Sequence, residues 1–332
     1  MQEIVMNMDR WGVHWSHRRV VLRFARDKKG VAVALHQAAV RQLATRLDNA
    51  VLAYENTHGT LWCEQHRLHG QRSDFFLDGP DLLSGDSAGR HFYQLVRNLP
   101  LSGYERSFKL RADQLISGRF LVGLPVAVMA AADIDYLASR LEAPAPYRAA
   151  LGAALAQAQY LHVGFEPDGG QTICKMYLEF AEGNSDRQPL YVGYKWDPAD
   201  AQQRAISHYV SAPLPDTLAL ADDVARTGLE DIIALATRRV PRSALRYVDV
   251  TDLDTQRVSF DINLYPAGLR VRDVQPMLLG MQRYFSIPEK EMAALIARTA
   301  DAVVGHVAGG TDRHGRAFVT IYHAHPASLM AA

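Results

Sequence analysis

Residues 104–120, YERSFKLRADQLISGRF, place four polar side chains on one face of a strand. With a period of two, Glu105, Ser107, Lys109 and Arg111 point to the same side. A carboxylate can act as a general base, and cations can bind a diphosphate. Two interpretations are open: this face is exposed to water, or it lines a polar interior.

The same alternation recurs in later segments of the chain. On each of these segments, apolar residues occupy one face and polar or aromatic residues occupy the other. The polar faces carry Lys175, Tyr177 and Glu179; Ser259, Asp261, Asn263 and Tyr265; Thr320 and Tyr322; His162, Gly164 and Glu166. Each strand therefore has one face suited to packing against helices and one suited to polar contacts.

Residue type distinguishes the two interpretations better than alternation does. An open antiparallel sheet, with helices on one side and water on the other, shows the same alternation and is the commoner arrangement. A solvated face usually mixes Lys, Glu, Thr and Arg, whereas here basic residues recur together with tyrosines. Cations with hydroxyls suit a diphosphate, and aromatic faces suit an apolar chain or a carbocation. These residue types favour a polar lumen.

The order of the elements predicts a barrel. Hairpins with Gly, Asp or Asn turns are predicted at 59–79, 104–124, 160–180, 246–265 and 305–325, with one more strand at 189–197. Helical patterns cover 31–55, 131–158, 216–240, 271–285 and 289–304. A sheet of about ten strands would leave edges unless it closed. We therefore predict an α+β fold, a closed antiparallel β-barrel with helices outside, as a single domain over residues 1–332.

Composition excludes several classes of protein. The chain has 332 residues, with 36 Lys and Arg against 36 Asp and Glu, so bulk attraction to nucleic acid or an anionic membrane is not expected. Cys63 and Cys174 form neither a disulfide framework nor a metal-ligand spacing. No signal peptide and no apolar run long enough to span a bilayer is found. We expect a cytoplasmic monomer.

The segment ERSFKLRADQLISGRF, 105–120, resembles the cyanobactin-type peptide prenyltransferases, enzymes of RiPP biosynthesis in the ABBA class. The segment shares with that family a leading Glu, a Lys four residues later, an Asp, a Leu-Ile pair and an Arg-Phe pair. The later segments CKMYLEF, VSFDINLY and VTIYHA resemble barrel strands of the same family. The resemblance covers Glu105 to the C-terminus with variable gaps, and the first hundred residues do not match.

This resemblance implies roles for four residues. Glu105 would orient the acceptor and take its proton as a general base. Arg119, from the Arg-Phe pair, and Lys175 would bind the diphosphate. Lys195 is assigned to the same task from its placement alone. The alternative for Glu105 is a wall carboxylate paired with a nearby cation of its own strand.

The resemblance also implies the residues around the prenyl chain. Three tyrosines would shield the allyl cation from water: Tyr177, Tyr265 and Tyr322. Ala308 corresponds to the position whose size limits the prenyl chain, and a small residue there goes with the ten-carbon donor. The lumen wall beside it would include His306, Asp261 and Asn263.

The expected partners are an allylic diphosphate, with geranyl favoured and dimethylallyl possible, and a ribosomal, cyclic peptide. No Asp-rich DDxxD motif is present, and the residues ADD at 221–223 lack a second pair. Mg²⁺ is therefore expected to bind through the oxygens of the diphosphate rather than through the protein. Two other functions remain open: prenyl transfer to a small aromatic or indole, and a non-catalytic barrel that binds a lipid or a peptide.

Overall fold

The computed structural model describes four short strands before residue 103 and then residues 103–129, 131–168, 171–181, 189–220 and 223–324. The chain separates into two compact units, Met1–Ser102 with Ala331–Ala332, and Gly103–Met330. The single domain over residues 1–332 stays a prediction. The helix expected at 31–55 lies outside the described residues.

The first unit contains a four-stranded sheet. Its strands are β1 (Trp11–Ser16), β2 (Arg19–Phe24), β3 (Trp62–His66) and β4 (Arg72–Phe75), in that order across the sheet. Strands β2 and β3 pair in parallel, whereas β3 and β4 pair antiparallel. The hairpin predicted within 59–79 is thereby confirmed.

The second unit is a closed barrel of ten antiparallel strands. They are β5 (Gly103–Arg111), β6 (Gln114–Pro125), β7 (Ala158–Asp168), β8 (Gln171–Phe180), β9 (Tyr191–Asp197), β10 (Asp200–Ala212), β11 (Arg246–Asp252), β12 (Val258–Asn263), β13 (Val303–Thr311) and β14 (Ala317–Ala324). Each strand pairs with the next in the chain, and β14 closes the barrel by pairing with β5. This topology confirms the predicted fold class.

Two details of the barrel differ from the sequence prediction. Strand β10 is absent from that prediction, and it begins with an irregular register between Asp200 and Arg204 that interrupts the alternation. Strand β12 ends at Asn263, so Tyr265 lies in a 3₁₀ turn and not on the strand as predicted. Pro266 within that turn has no N–H to donate to a neighbouring strand, which ends the pairing.

Helices cover the apolar outer face of the barrel. They are α1 (Ala131–Arg140), α2 (Ala145–Ala154), α3 (Asp223–Thr237), α4 (Gln275–Tyr284) and α5 (Glu289–Thr299), all within the predicted helical segments. The largest core cluster joins strand residues such as Phe260 and Ile321 to helix residues such as Leu229 and Met292. In the described part of the chain, no helix is long and apolar enough to cross a bilayer.

Adjacent small residues on β13 serve opposite faces of the barrel wall. A Cβ added at Gly309 would lie 2.8 Å from Leu229 Cδ1 of α3 and 3.1 Å from Cζ of Phe260. The absence of a side chain at Gly309 therefore lets α3 approach the barrel. Ala308, one residue earlier, lines the lumen instead. Close packing of α3 therefore explains why residue 309 is a glycine. It does not explain the small side chain of Ala308, which faces the lumen.

Trp196 on β9 fixes the α1–α2 hairpin against the barrel. Its side chain is 1% exposed, and its indole N–H donates to the backbone oxygen of Leu141 at 2.8 Å. We predict that Trp196→Phe lowers the free energy of unfolding by about 1–3 kcal/mol, because a buried carbonyl loses its donor. Urea denaturation measures this change. Tyr136→Ala on exposed α1 surface should stay within about 0.5 kcal/mol of wild type, and equal stability of both variants would contradict the role of Trp196.

Candidate active site

Three barrel strands present the same order of side chains to the lumen: a carboxylate, then a hydroxyl, then a cation, at intervals of two residues. These triplets are Glu105–Ser107–Lys109 on β5, Glu179–Tyr177–Lys175 on β8, and Asp261–Ser259–Arg257 on and just before β12. Strands β8 and β12 run opposite to β5, so the three carboxylates collect at one end of the lumen and the three cations at the other. At about 3.3 Å per residue, the two groups lie about 13 Å apart along a strand. We call them the acid end and the cation end.

The cation end is built around the carboxylate of Glu166 on β7, which is 5% exposed. Arg119 Nη2 lies 3.3 Å from Glu166 Oε2, and Lys109 Nζ lies 3.4 Å from Oε1. Lys175 Nζ also donates to Oε2. Burial by itself would raise the pKa of Glu166, but Arg119, Lys109 and Lys175 hold it well below its usual range.

A second polar network lies on β9, β10 and β11. Lys195 Nζ donates to Ser207 Oγ at 2.8 Å, and Ser207 Oγ donates to Asp252 Oδ1 at 2.5 Å. Arg257 Nη1 lies 3.6 Å from the same carboxylate oxygen, and its Nε donates to Ser259 Oγ at 2.9 Å. Asp252 thus contacts Arg257 directly and Lys195 through Ser207.

The cation end holds more positive than negative groups. Lys109, Arg119, Lys175, Lys195 and Arg257 line a cavity of about 350 Å³, and the carboxylates that line it are Glu166 and Asp312. Asp252 is buried next to Arg257. Burial is the main reason that the pKa of Lys175 falls to about 7 and that the pKa of Lys195 falls well below its usual range. Basic groups outnumber carboxylates at this end, and a bound anion would favour the charged form of both lysines.

One donor of this end is also unsatisfied. The Nε of Arg119 is buried and has no hydrogen-bond partner among the described residues. A buried N–H without an acceptor costs about 1–3 kcal/mol, which a bound anion can recover. The Nη1 of the same guanidinium makes a long contact, 3.4 Å, to Thr320 Oγ1. Arg119 is therefore prepared to donate to a ligand in the cavity.

Tyrosines separate the two ends of the lumen. The rings of Tyr177 and Tyr209 meet edge to face with centroids 5.7 Å apart. The ring of Tyr322 lies 5.8 Å from the guanidinium carbon of Arg119. Gly193 makes room for this layer, because a Cβ there would lie 2.7 Å from the ring of Tyr177. The layer presents aromatic faces and edges next to the cation end.

Glu105 lies at the acid end beside Tyr265 and His306. Its Oε1 accepts a hydrogen bond of 2.5 Å from the hydroxyl of Tyr265 and lies 4.0 Å from His306 Nε2. His306 Nδ1 is 2.6 Å from Asp261 Oδ1. Gly305 is required by this contact, because a Cβ there would lie 2.4 Å from Tyr265 Cζ and 2.6 Å from Glu105 Oε1. The backbone at Gly305 therefore leaves room for Glu105 and Tyr265 to meet.

A second histidine–carboxylate pair lies on other strands of the acid end. His162 Nε2 on β7 is 2.6 Å from Glu179 Oε2 on β8. The ring of Tyr191 on β9 meets the imidazole edge to face, with centroids 5.9 Å apart. This pair matches the geometry of His306 and Asp261 but is built from different strands.

The sequence-predicted site residues fall into three groups. Those that line the cavity are Arg119, Lys175, Lys195, Tyr177, Tyr322 and Ala308. Those that meet at the acid end are Glu105, His306, Asp261 and Tyr265. Asn263 differs: its Oδ1 accepts from the backbone N–H of Tyr265 at 3.0 Å, so it caps the 3₁₀ turn. Tyr265, from its position in the turn, contacts Glu105 through its hydroxyl.

Several residues of the site were not assigned a role from the sequence: Glu166, Ser207, Tyr209, Asp252 and Arg257. Two of them carried a usable signal, since Glu166 shares a face with His162 and Gly164, and Arg257 lies two residues before Ser259 on one face. Tyr209 and Ser207 were missed together with strand β10. Asp252 gave no signal, because its partners come from other strands.

The carboxylates of the site do not form a metal centre. Among the described residues, no group of three or more His, Cys, Asp or Glu side chains could hold a metal ion. At the cation end, Glu166 and Asp252 are already bonded to buried cations and hydroxyls. The residues that the structure describes therefore do not fit a protein-bound Mg²⁺.

The chain is similar in structure to known proteins of low sequence identity. No protein-family model and no curated protein sequence matches it. The 5-dimethylallyl tryptophan synthase from Streptomyces coelicolor, in complex with DMASPP and Trp, matches with a TM-score of 0.51 and 13% identity, covering 74% of this chain and 90% of that one. A second structure of that synthase matches with a TM-score of 0.47 and 14% identity, covering 68% and 82%. AnaPT from Neosartorya fischeri matches with a TM-score of 0.39 and 16% identity, covering 67% and 78%. The described barrel of ten strands with outer helices therefore shares the fold of the Streptomyces coelicolor synthase.

Proposed function

We propose that the protein transfers an allylic prenyl group, preferably geranyl, from its diphosphate to a nucleophilic side chain of a ribosomal, cyclic peptide. The observation that carries the proposal is the order of groups along the lumen: cations, then tyrosines, then carboxylates. Transfer of a prenyl group needs this order, because negative charge develops on the leaving diphosphate and positive charge on the carbon chain.

The diphosphate would bind at the cation end. When the allylic C–O bond breaks, both electrons of that bond stay with the diphosphate oxygen. Lys109, Arg119, Lys175, Lys195 and Arg257 surround the cavity in which this charge would develop. Their surplus over Glu166 and Asp252 supports an anionic ligand of high charge, and the buried Nε of Arg119 offers an unused donor.

The tyrosine layer would hold the reacting carbon chain. Carbocations react with water, so the chain must be kept dry until the acceptor attacks. The aromatic faces of Tyr177, Tyr209 and Tyr322 can stabilise positive charge without supplying a nucleophile as strong as water. These hydroxyls remain protonated, because burial raises the pKa of Tyr177 and Tyr322 above the usual range.

The acceptor would approach from the acid end, where Glu105 lies. The nucleophile forms a bond to the allylic carbon as the C–O bond breaks, and the acceptor proton passes to the carboxylate of Glu105. The products are the prenylated acceptor, inorganic diphosphate and a proton. One oxygen of Glu105 already accepts from Tyr265, which fixes the direction of the carboxylate.

The peptide acceptor is supported by the likeness of residues 105–120 to peptide prenyltransferases. A small indole acceptor is the second candidate, because the structural neighbour from Streptomyces coelicolor is a 5-dimethylallyl tryptophan synthase in complex with DMASPP and Trp. A non-catalytic lipid or peptide barrel is disfavoured by the number of lumen cations.

The deciding experiment incubates the protein with dimethylallyl or geranyl diphosphate and either cyclic peptides or tryptophan, with detection by mass spectrometry. A prenyl mass gain on peptides alone supports the proposal, and a gain on tryptophan alone selects the second candidate.

Absence of transfer from either donor to any acceptor would contradict prenyl transfer itself. Among the described residues the carboxylates of the cation end are already paired, Glu166 and Asp252 as described above and Asp312 with Arg316, so a Mg²⁺ ion would be held by the oxygens of the diphosphate. It would add positive charge to that already supplied by the lumen cations.

We predict that Glu105→Gln lowers the rate of prenyl transfer by roughly 10²-fold or more, the scale of a lost general base. The amide keeps the size of the side chain but cannot take the acceptor proton. Single-turnover kinetics with mass detection measures the change. Glu291→Gln, on the exposed face of α5, is the matched control and should react like wild type. Near-normal turnover in a folded Glu105→Gln variant would rule out this role.

We predict that Arg119→Ala and Lys175→Ala each weaken binding of a non-hydrolysable allylic diphosphate analogue by about 1.5–3 kcal/mol, the contribution of a hydrogen bond to a charged group. Calorimetric titration measures the affinity. Arg148→Ala and Lys290→Ala remove exposed cations of α2 and α5 and should leave it unchanged. Unchanged affinity in both lumen variants would show that the diphosphate does not bind at the cation end.

We predict that wild type prefers geranyl over dimethylallyl diphosphate and that Ala308→Phe reverses the preference. Ala308 pairs with Thr320 on β14 and with Asp261 on β12, at the wall of the cavity. Five extra carbons could contribute up to about 4 kcal/mol on burial, and a phenyl ring would occupy their space. Competition between equal concentrations of the two donors measures the ratio. A variant that still uses geranyl diphosphate as well as wild type would show that Ala308 does not set chain length.

A further inference from the structure

His306 lies between two carboxylates that come from different strands. Its Nδ1 is 2.6 Å from Asp261 Oδ1 on β12, and its Nε2 is 4.0 Å from Glu105 Oε1 on β5. The Nδ1 contact is within hydrogen-bond range, and the Nε2 separation is within range of direct charge interaction. Asp261 thus fixes the imidazole, and the free edge of the ring is aimed at Glu105.

Aromatic rings hold this imidazole on two sides. The ring of Tyr265 meets it edge to face at a centroid distance of 5.6 Å, and the ring of Tyr322 does so at 6.0 Å. Tyr265 also donates its hydroxyl to Glu105. The ring of His306 therefore cannot turn away from Glu105 without displacing the tyrosine that orients the same carboxylate.

We propose that His306 is a positioning residue whose imidazolium, held by Asp261, keeps Glu105 ionised and ready to accept a proton. The proposal deepens the function proposed above and rests on Glu105 being the base. It assigns to Asp261 and His306 a task in proton transfer, beyond lining the wall of the lumen.

The charge of His306 follows from all the groups that face it. Burial by itself would lower its pKa, and Arg246 on β11 lowers it further. Asp261 and Glu105 outweigh both, so the pKa of His306 rises to about 9. The remaining neighbours, Tyr265 and Tyr322, carry no charge near neutral pH because their pKa values are raised. His306 is therefore a cation at neutral pH.

A cation beside the base serves the step after bond formation. An acceptor that has just joined a carbocation is a strong acid, so a weak base is sufficient to take its proton. Glu105 must then lose that proton to water before the next turnover. The imidazolium of His306 favours the ionised carboxylate and so favours this return.

The test is the pH dependence of kcat/KM. In His306→Gln the positive charge beside Glu105 is gone, so the acidic limb of the profile should move to higher pH by about one unit relative to wild type. Below this limb, the rate should therefore fall about tenfold relative to wild type. Asp261→Asn should move the limb in the same direction, because it removes the charge that keeps His306 protonated.

The matched control is His162→Gln. His162 is also a lumen histidine bonded to a carboxylate at 2.6 Å, but its partner is Glu179. Its substitution should leave the acidic limb in place. Affinity for the diphosphate analogue should not change in His306→Gln, because the cation end lies at the other end of the lumen. A general loss of structure would instead reduce affinity and rate at every pH.

A direct measurement uses NMR of the wild-type imidazole. The ring of His306, assigned by its absence from His306→Gln, should be protonated at pH 7 and titrate near pH 9. A neutral ring at pH 7, or an acidic limb that does not move in an active His306→Gln enzyme, would overturn the proposal. If the wild-type protein transfers no prenyl group, the proposed function is wrong, whereas the NMR titration still determines the charge of His306.

Discussion

The carboxylate of Glu166 allows three cations to share the buried interior of the barrel. Without it, Lys109, Arg119 and Lys175 would repel one another in a region with little water. One carboxylate reduces this repulsion but does not balance the positive charge. The cluster is thus compatible with folding but keeps an excess of positive charge. An anionic ligand can neutralise that excess. The rest of the site takes its position relative to this cluster.

Because side chains alternate strictly along the antiparallel strands, the type of charge in the lumen changes along the barrel axis. Because a residue two positions away faces the same side, each strand can place a cation, a hydroxyl and a carboxylate at successive depths. The outer face remains free for apolar residues and for the helices that bury them. Missing side chains complete the arrangement: Gly193 and Gly305 give space inside, and Gly309 gives space outside.

The fold could be predicted because it depends on the local periodicity of the sequence. The contacts of the site could not, because they form only when the barrel closes and brings distant strands together. Alternation identified most barrel strands and the face of Lys175, whereas Arg119 was assigned from the resemblance of residues 105–120. It could not pair Glu166 with Lys109, which lies 57 residues away and is joined to it across the lumen. It also extended β12 through Tyr265, since the pattern continues while the backbone turns at Pro266. Strand β10 was lost to an irregular start, and Tyr209 with it.

The separation of the acid end from the cation end gives the lumen a permanent electric dipole. A positive charge released between the two ends is repelled by the lysines and arginines and attracted by the carboxylates about 13 Å away. The field therefore favours movement in one direction along the barrel axis and opposes return. Reversing one of the three triplets would weaken this field without changing the composition of the lumen. The direction of the field is thus set by the polarity of the strands in the barrel and not by any single side chain.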